Sequence, residues 1–371
     1  MNPCRALALA FALPACATGF ARSLPLERIR LPPGFEISIF TDEVPGARSL
    51  AVGKEVVFVG TLQGRVYGVR YQDARATEVR TIASGLNTPN GVALKDAALY
   101  IAEISRVIRL PDAERRFEEL PRTTPQVVFD RLPNNPGHGW KFIRFGPDGL
   151  LYVPVGAPCN VCEPDAQRYA NIGRLRVEAS SGRGSGYEIF ARGVRNSVGF
   201  DWDPETHELW FTDNGRDELG DDLPSDELNH AWKPGMNFGF PYCHQGDTPD
   251  PRYGKEKPCS EFTPPAAKLG AHVAALGMRF YTGSAFPAAY RRNIFIAEHG
   301  SWNRKQKNGY RIQRVIVDPD GKNAKQEVFA GTWLDGQNIL GRPADILVAP
   351  DGSLLIADDQ AGAIYQISYS K

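Results

Sequence analysis

The stretch His138-Gly-Trp-Lys-Phe-Ile-Arg-Phe-Gly-Pro-Asp-Gly-Leu-Leu-Tyr-Val-Pro-Val-Gly156 decides the fold. Its second half is an apolar strand, a turn at Pro147-Asp148-Gly149 and a second apolar strand. Asp-Gly suits such a turn because its residues must take positive φ, which both tolerate. Its first half places a histidine among small residues directly ahead of the hairpin.

The same hairpin recurs. It is found at Leu50-Ala-Val-Gly-Lys-Glu-Val-Val-Phe-Val59, at Val92-Ala-Leu-Lys-Asp-Ala-Ala-Leu-Tyr-Ile101 and at 143–155. It returns at 198–212, at 278–297 with a longer loop, and at Ile346-Leu-Val-Ala-Pro-Asp-Gly-Ser-Leu-Leu-Ile-Ala357. Copies run on into a further strand, such as Gly64-Arg-Val-Tyr-Gly-Val69 or Gly362-Ala-Ile-Tyr-Gln-Ile367. A hairpin unit repeated at this period cannot bury both of its faces alone, so the copies close around an axis. The fold expected is all-β, a six-bladed β-propeller of four-stranded antiparallel blades, with a β-sandwich as the alternative. It forms one domain over 18–371, with a long inter-blade insertion at about 213–277.

Ahead of it, Arg5 and the apolar run from Ala6 to Ala17 read as an export signal, too short to span a bilayer and cut after Ala17. Leu13-Pro14-Ala15-Cys16 is a loose lipobox, so a lipoprotein signal to residue 15, with a lipid anchor on Cys16, is the alternative. Both imply an exported, periplasmic protein. Cys159, Cys162, Cys243 and Cys259 then read as two local disulfides, Cys159–Cys162 and Cys243–Cys259, ahead of a redox pair or a zinc site.

Charge is balanced at 43 basic and 43 acidic residues, so nothing favours nucleic acid, and a small, weakly charged ligand fits better. No other segment is apolar enough to be a transmembrane span. Neither a nucleophile elbow, a dinucleotide-binding glycine motif, a P-loop nor a His-Glu-x-x-His is present.

Ligand sites of propellers form from the loops at one end of the axis. The chemically unusual loops here hold His138, Arg195 with Asn196, the run from Asp213 to Asn229, and Arg342. The acidic run offers hard oxygen donors, Asp226 and Glu227 among them, of the kind calcium takes; a solvated charged loop is the alternative.

Through His138 with Phe-Gly-Pro-Asp-Gly-Leu-Leu-Tyr, Gly193-Val-Arg-Asn196, Asn214-Gly-Arg216, Asp226-Glu-Leu-Asn229, Gly235-Met-Asn-Phe-Gly-Phe-Pro241 and Arg342-Pro-Ala-Asp345, the chain resembles the soluble quinoprotein glucose/sorbosone dehydrogenases. The Cys-Asn-Val-Cys loop and Glu298-His-Gly-Ser-Trp-Asn-Arg304 look closer to the sorbosone dehydrogenase branch. The resemblance implies pyrroloquinoline quinone (PQQ) and Ca2+ as cofactors. By it, His138 is the general base and Arg195 stabilises charge on the quinone. Asn196, His272, Arg342 and one of Arg304 or Lys305 contact the cofactor, and the carbonyls of Gly215 and Arg216 hold calcium. The implied reaction oxidises an aldose or a keto-aldose such as sorbosone and passes electrons to an external acceptor, the protein being a monomer or homodimer. A calcium-dependent sugar lactonase and a non-catalytic binding propeller are the alternatives. One departure stands out: the family's glucose enzymes orient their histidine with an aspartate where this chain has Ala157.

Overall fold

A computed structural model describes residues 24–318 and 324–370. The proposed export signal and Cys16 lie outside the described residues. Among those residues, helical structure is confined to four three-residue 3-10 turns, and no helix is long and apolar enough to cross a membrane.

Six four-stranded antiparallel sheets follow one another along the chain. Blade 1 comprises Leu50–Val52, Val56–Val59, Arg65–Gln72 and Arg75–Ser84; blade 2, Gly91–Lys95, Ala98–Ala102, Val107–Leu110 and Gln126–Phe129. Blade 3 comprises Arg144–Phe145, Leu151–Val155, Asn171–Val177 and Gly184–Arg192; blade 4, Gly199–Trp202, Leu209–Asp213, Ser225–Ala231 and Ala267–Ala271. Blade 5 comprises Ala275–Phe280, Ile294–Glu298, Arg311–Val317 and Ala324–Ala330. Blade 6 is shared between the two ends of the described chain. Its strands Pro343–Val348, Leu354–Asp358 and Ala363–Tyr369 are completed by Phe35–Thr41, which pairs antiparallel from Phe35↔Tyr369 to Thr41↔Ile364.

Each hairpin legible in the sequence is the inner half of a blade. The second strands, Val-Val-Phe-Val in blade 1 to Leu-Leu-Ile-Ala-Asp in blade 6, are buried at every position. Burial on both faces replaces the usual alternation by a continuous apolar run. Fully burying a Val, Leu, Ile or Phe gains about 1.5–3 kcal/mol, so each of these strands contributes on the order of 10 kcal/mol gross. First strands touch around the axis between blades 1 and 2, 2 and 3, 4 and 5, and 5 and 6, and the last blade closes on the first. At the Asp-Gly turns only the glycine takes the expected positive φ, Gly149 at 78° and Gly352 at 84°, and not Asp148 or Asp351; at the blade 2 turn Asp96 and Ala97 both do, at 50° and 61°.

The stretch 213–277 contains the third and fourth strands of blade 4 with an excursion between them. In it Met236–Asn237 adds a short parallel strand to the outer edge of blade 3, and Cys243–His244 pairs with Thr248–Pro249. Both expected disulfides form, Cys159–Cys162 and Cys243–Cys259.

A recurring device sits where second strands end. In blades 2, 4 and 6 a buried acid at or just past that end turns back to accept backbone N–H groups of the incoming loop. Glu103 accepts from Asn87, Asp213 from Arg195 (2.8 Å) and Asn196 (2.6 Å), and Asp358 from Arg342 (2.9 Å). Blade 3 has Gly156-Ala157 there instead of an acid, with Ala157 N–H donating to the Arg195 carbonyl at 2.8 Å and the Ala157 carbonyl meeting the His138 ring.

Candidate functional site

The loops entering the first strands and those joining second to third strands gather at one end of the axis. They enclose a cavity of about 300 Å³ between blades 3, 4 and 5. His138, Arg195, Asn196, Gly215, Asp226 and His272 line it, with Trp140, Asn214, Asp217 and the loop residues Trp302 and Asn303.

His138 lies in the left-handed region, φ 48°, between Gly137 and Gly139. Its Nδ1 lies 2.8 Å from the Ala157 carbonyl oxygen. A carbonyl only accepts, so Nδ1 carries the proton and Nε2 keeps its lone pair. The main chain of Ala157 thus does the orienting that its side chain cannot. Burial, then the nearby Arg195 charge, lower the His138 pKa to about 4 against the opposing pull of that hydrogen bond, so the ring is neutral at physiological pH.

Behind His138, Arg195 is 4 % exposed and fully committed. Nε donates to the Asn160 carbonyl (2.8 Å), Nη1 to the carbonyls of Asn214 (3.0 Å) and Gly215 (2.8 Å), and Nη2 to Asn160 Oδ1 (3.0 Å) and Asp217 Oδ2 (3.4 Å). Burial lowers its pKa, opposed by Asp217, Asp213 and Asp226. Asn196 is anchored through its main chain, and its side-chain amide has no partner among the described residues. His272 donates through Nε2–H to the Gly220 carbonyl, 2.8 Å away.

Below the pocket lies a nest of acids. Asp226 accepts from Gly215 N–H (2.9 Å) and Ala275 N–H (3.3 Å), and burial raises its pKa to about 6. Burial raises Asp213 to about 7, and raises Glu227 to about 8 with help from the Asp213 charge.

Not every residue singled out in the sequence reaches the pocket. Glu227 follows Asp226 on a strand and faces away, taking hydrogen bonds from Gln245 N–H (2.7 Å) and Asn229 (2.9 Å). The Arg216 side chain pairs with buried Asp250 at 2.6 Å, itself bonded to His244. Arg304 is held by the Asp221 carbonyl and Asp222, and Lys305 is exposed. Arg342 donates to the carbonyls of His299 (3.1 Å) and Gly300 (2.7 Å), and its guanidinium lies 5.5 Å from the centre of the Tyr310 ring. No group of three or more His, Cys, Asp or Glu among the described residues is arranged to hold a metal. Sequence reasoning missed Asn160, and left Trp140 and Asp217 without a role inside segments it had singled out. Asn160 stands inside the Cys159–Cys162 ring, which was the available signal.

The fold is shared with solved structures of low sequence identity. The calcium structure of a Trichoderma reesei protein of carbohydrate-active enzyme family AA12 matches at TM-score 0.80 and 19% identity, over 94% of this chain and 99% of that one. The holo PQQ domain of Coprinopsis cinerea pyranose dehydrogenase matches at TM-score 0.75 and 15% identity, over 92% and 97%. An uncharacterized protein of Borreliella burgdorferi is 33% identical over 358 residues, 92% of this chain and 91% of its own. The model of the glucose/sorbosone dehydrogenase family matches residues 105–366. With that match spanning most of the propeller, the chain belongs to the glucose/sorbosone dehydrogenase family.

Proposed function

We propose that this protein is a PQQ-dependent dehydrogenase that oxidises an aldose or a keto-aldose such as sorbosone and delivers electrons to an external acceptor. The observation that carries the proposal is the tautomer of His138: with Nδ1–H spent on Ala157, the free Nε2 is a neutral base in the pocket that Arg195 and Asn196 share. A base must be unprotonated and within reach of the hydroxyl proton it takes.

The residues present fit PQQ, a planar quinone rich in acceptor oxygens. Two donors in the pocket lack partners among the described residues: the buried Trp140 indole N–H and the Asn196 amide. Arg195 adds positive charge and a long 3.4 Å bond to Asp217 that a ligand oxygen can replace. PQQ, when bound, supplies an electrophilic quinone carbon that accepts a hydride. The chain's own work is then to hold and to move protons. His138 Nε2 takes the proton of the substrate hydroxyl. Arg195 and the Asn196 amide hold acceptor oxygens, already organised where negative charge grows.

Calcium fits the named donors less directly. The Gly215 carbonyl already accepts from Arg195, and both oxygens of Asp226 and of Glu227 are hydrogen-bonded, so no step is assigned to a metal. The related Trichoderma and Coprinopsis structures contain calcium and a PQQ domain respectively, which supports including both in the assay. The test is titration of the protein with PQQ, with and without Ca2+, followed by dye reduction across a panel of aldoses and sorbosone. His138→Ala is expected to bind PQQ and lose at least about 100-fold in turnover. Absence of saturable PQQ binding, or full turnover by His138→Ala, refutes the proposal.

A further inference from the structure

Arg195 has five N–H donors, and two of them end on one residue, Asn160, at its carbonyl (2.8 Å) and its Oδ1 (3.0 Å). The same Oδ1 accepts from Asp217 N–H at 2.8 Å, and the Asn160 amide returns to the Asp217 carbonyl at 3.3 Å. Asn160 therefore ties the guanidinium to the 214–217 loop that supplies its other acceptors. For both oxygens of one residue to meet one planar fork, main chain and side chain must be fixed together. The chain does this by placing Asn160 inside a ring closed by Cys159–Cys162. Beyond Asn160, that loop is held by Ala157 N–H on the Arg195 carbonyl and by Val161 against Ala157, Ala170 and Phe240. Closing the ring removes conformations that would otherwise let Asn160 swing off the arginine. Cys159 and Cys162 are both partly exposed, so a reductant can reach the site ring; in the other disulfide Cys243 is 3 % exposed and Cys259 partly exposed.

We propose that Asn160, locked by the Cys159–Cys162 disulfide, is the positioning residue of Arg195, and that reduction of this disulfide lowers the pocket's affinity for an anionic quinone while the propeller stays folded. The proposal rests on the PQQ reading above for its ligand, but not for the coupling of Asn160 to Arg195. In the redox step a dithiol donates two electrons and two protons: the S–S bond breaks, two thiols form, and the dithiol leaves as a disulfide.

The experiment uses the full chain and PQQ as the probe, read by quenching of tryptophan fluorescence. Losing hydrogen bonds to a charged group predicts PQQ binding about 10- to 100-fold weaker in Asn160→Ala, with Asn160→Asp, which keeps the acceptor oxygen, recovering most of it. Cys159→Ser/Cys162→Ser, and wild type treated with dithiothreitol, should show the same loss with Tm lowered by no more than about 5 °C. Equal affinity of the oxidised, reduced and serine proteins overturns the proposal. A second readout is independent of the cofactor: Asn160→Ala and Arg195→Ala should be non-additive in unfolding free energy. Additivity overturns the positioning role, whereas absence of PQQ binding to wild type with coupling intact overturns only the quinone reading.

Discussion

Replacing Gly156 by alanine tests how the base is held. A Cβ built there lies 2.6 Å from His138 Cβ, 2.9 Å from the His138 carbonyl oxygen and 3.2 Å from the Arg195 carbonyl oxygen. Ordinary carbon contacts lie near 3.5–4.0 Å, so something must retreat by about 1 Å. None of the three atoms is the far end of a flexible side chain. The Arg195 carbonyl is pinned by Ala157 N–H at 2.8 Å, whereas His138 stands on a turn between two glycines. The displacement therefore falls on His138 and pulls Nδ1 off the Ala157 carbonyl. Overpacking of this kind costs about 1–3 kcal/mol. Unfolding entropy near 2 cal/mol/K per residue makes this roughly 1–4 °C in Tm for a propeller of about 350 residues. A reacting group misplaced by 1 Å costs about 100-fold in rate. Dye-linked turnover at saturating PQQ and sugar, with Tm beside it, reads both. Gly331→Ala is the control, its nearest neighbour being a Val328 methyl at 3.3 Å. Wild-type turnover and Tm in Gly156→Ala would refute the reasoning.

Three further outcomes are expected. With His138 lowered to about 4, the acid limb of kcat/KM should fall near pH 4; a limb near 6.5 would mean the ring is not buried against Arg195 during turnover. Asp226, Asp213 and Glu227 have folded pKa values raised to about 6, 7 and 8, so their contribution to stability is full below their unfolded values and is lost as pH rises through 6 to 8. The denaturant midpoint should drop across that window, and Glu227→Gln should flatten its upper end; a midpoint rising with pH contradicts this. Asp213→Ala leaves the Arg195 and Asn196 N–H groups buried without an acceptor, at about 1–3 kcal/mol each, and chemical denaturation should show about 2–6 kcal/mol lost, less for Asp213→Asn.

The inner hairpins were legible in the sequence because their second strands are buried on both faces and their turns demand Asp or Gly. Phe35–Thr41 was not, since its partner Tyr369 lies at the far end of the chain and no local turn announces the pairing. His138, Arg195, Asn196 and Asp226 were legible in segments of unusual chemistry and His272 only through the family resemblance, and all five line one cavity. Arg342, and Arg304 through the resemblance, were singled out as well but satisfy their guanidinium groups on carbonyls or carboxylates nearby, which only three-dimensional contacts reveal. Glu227 was readable in principle: it follows Asp226 on a strand, where successive side chains point to opposite faces. The orienter of His138 was illegible because a backbone carbonyl carries no residue identity.

Blade 6 has a mechanical consequence. Phe35 opposes Tyr369, so the ends of this antiparallel pair lie at the same edge of the sheet, the N-terminal one held further by a two-bond bridge between Arg30 and Gly331. Tension applied between the ends loads the hydrogen bonds one after another, like a zip, instead of all together in shear. The ring should give way first at this seam and at low force. The cavity hangs from blades 3, 4 and 5, away from the seam, so a pulled molecule should part there before its binding loops lose their arrangement.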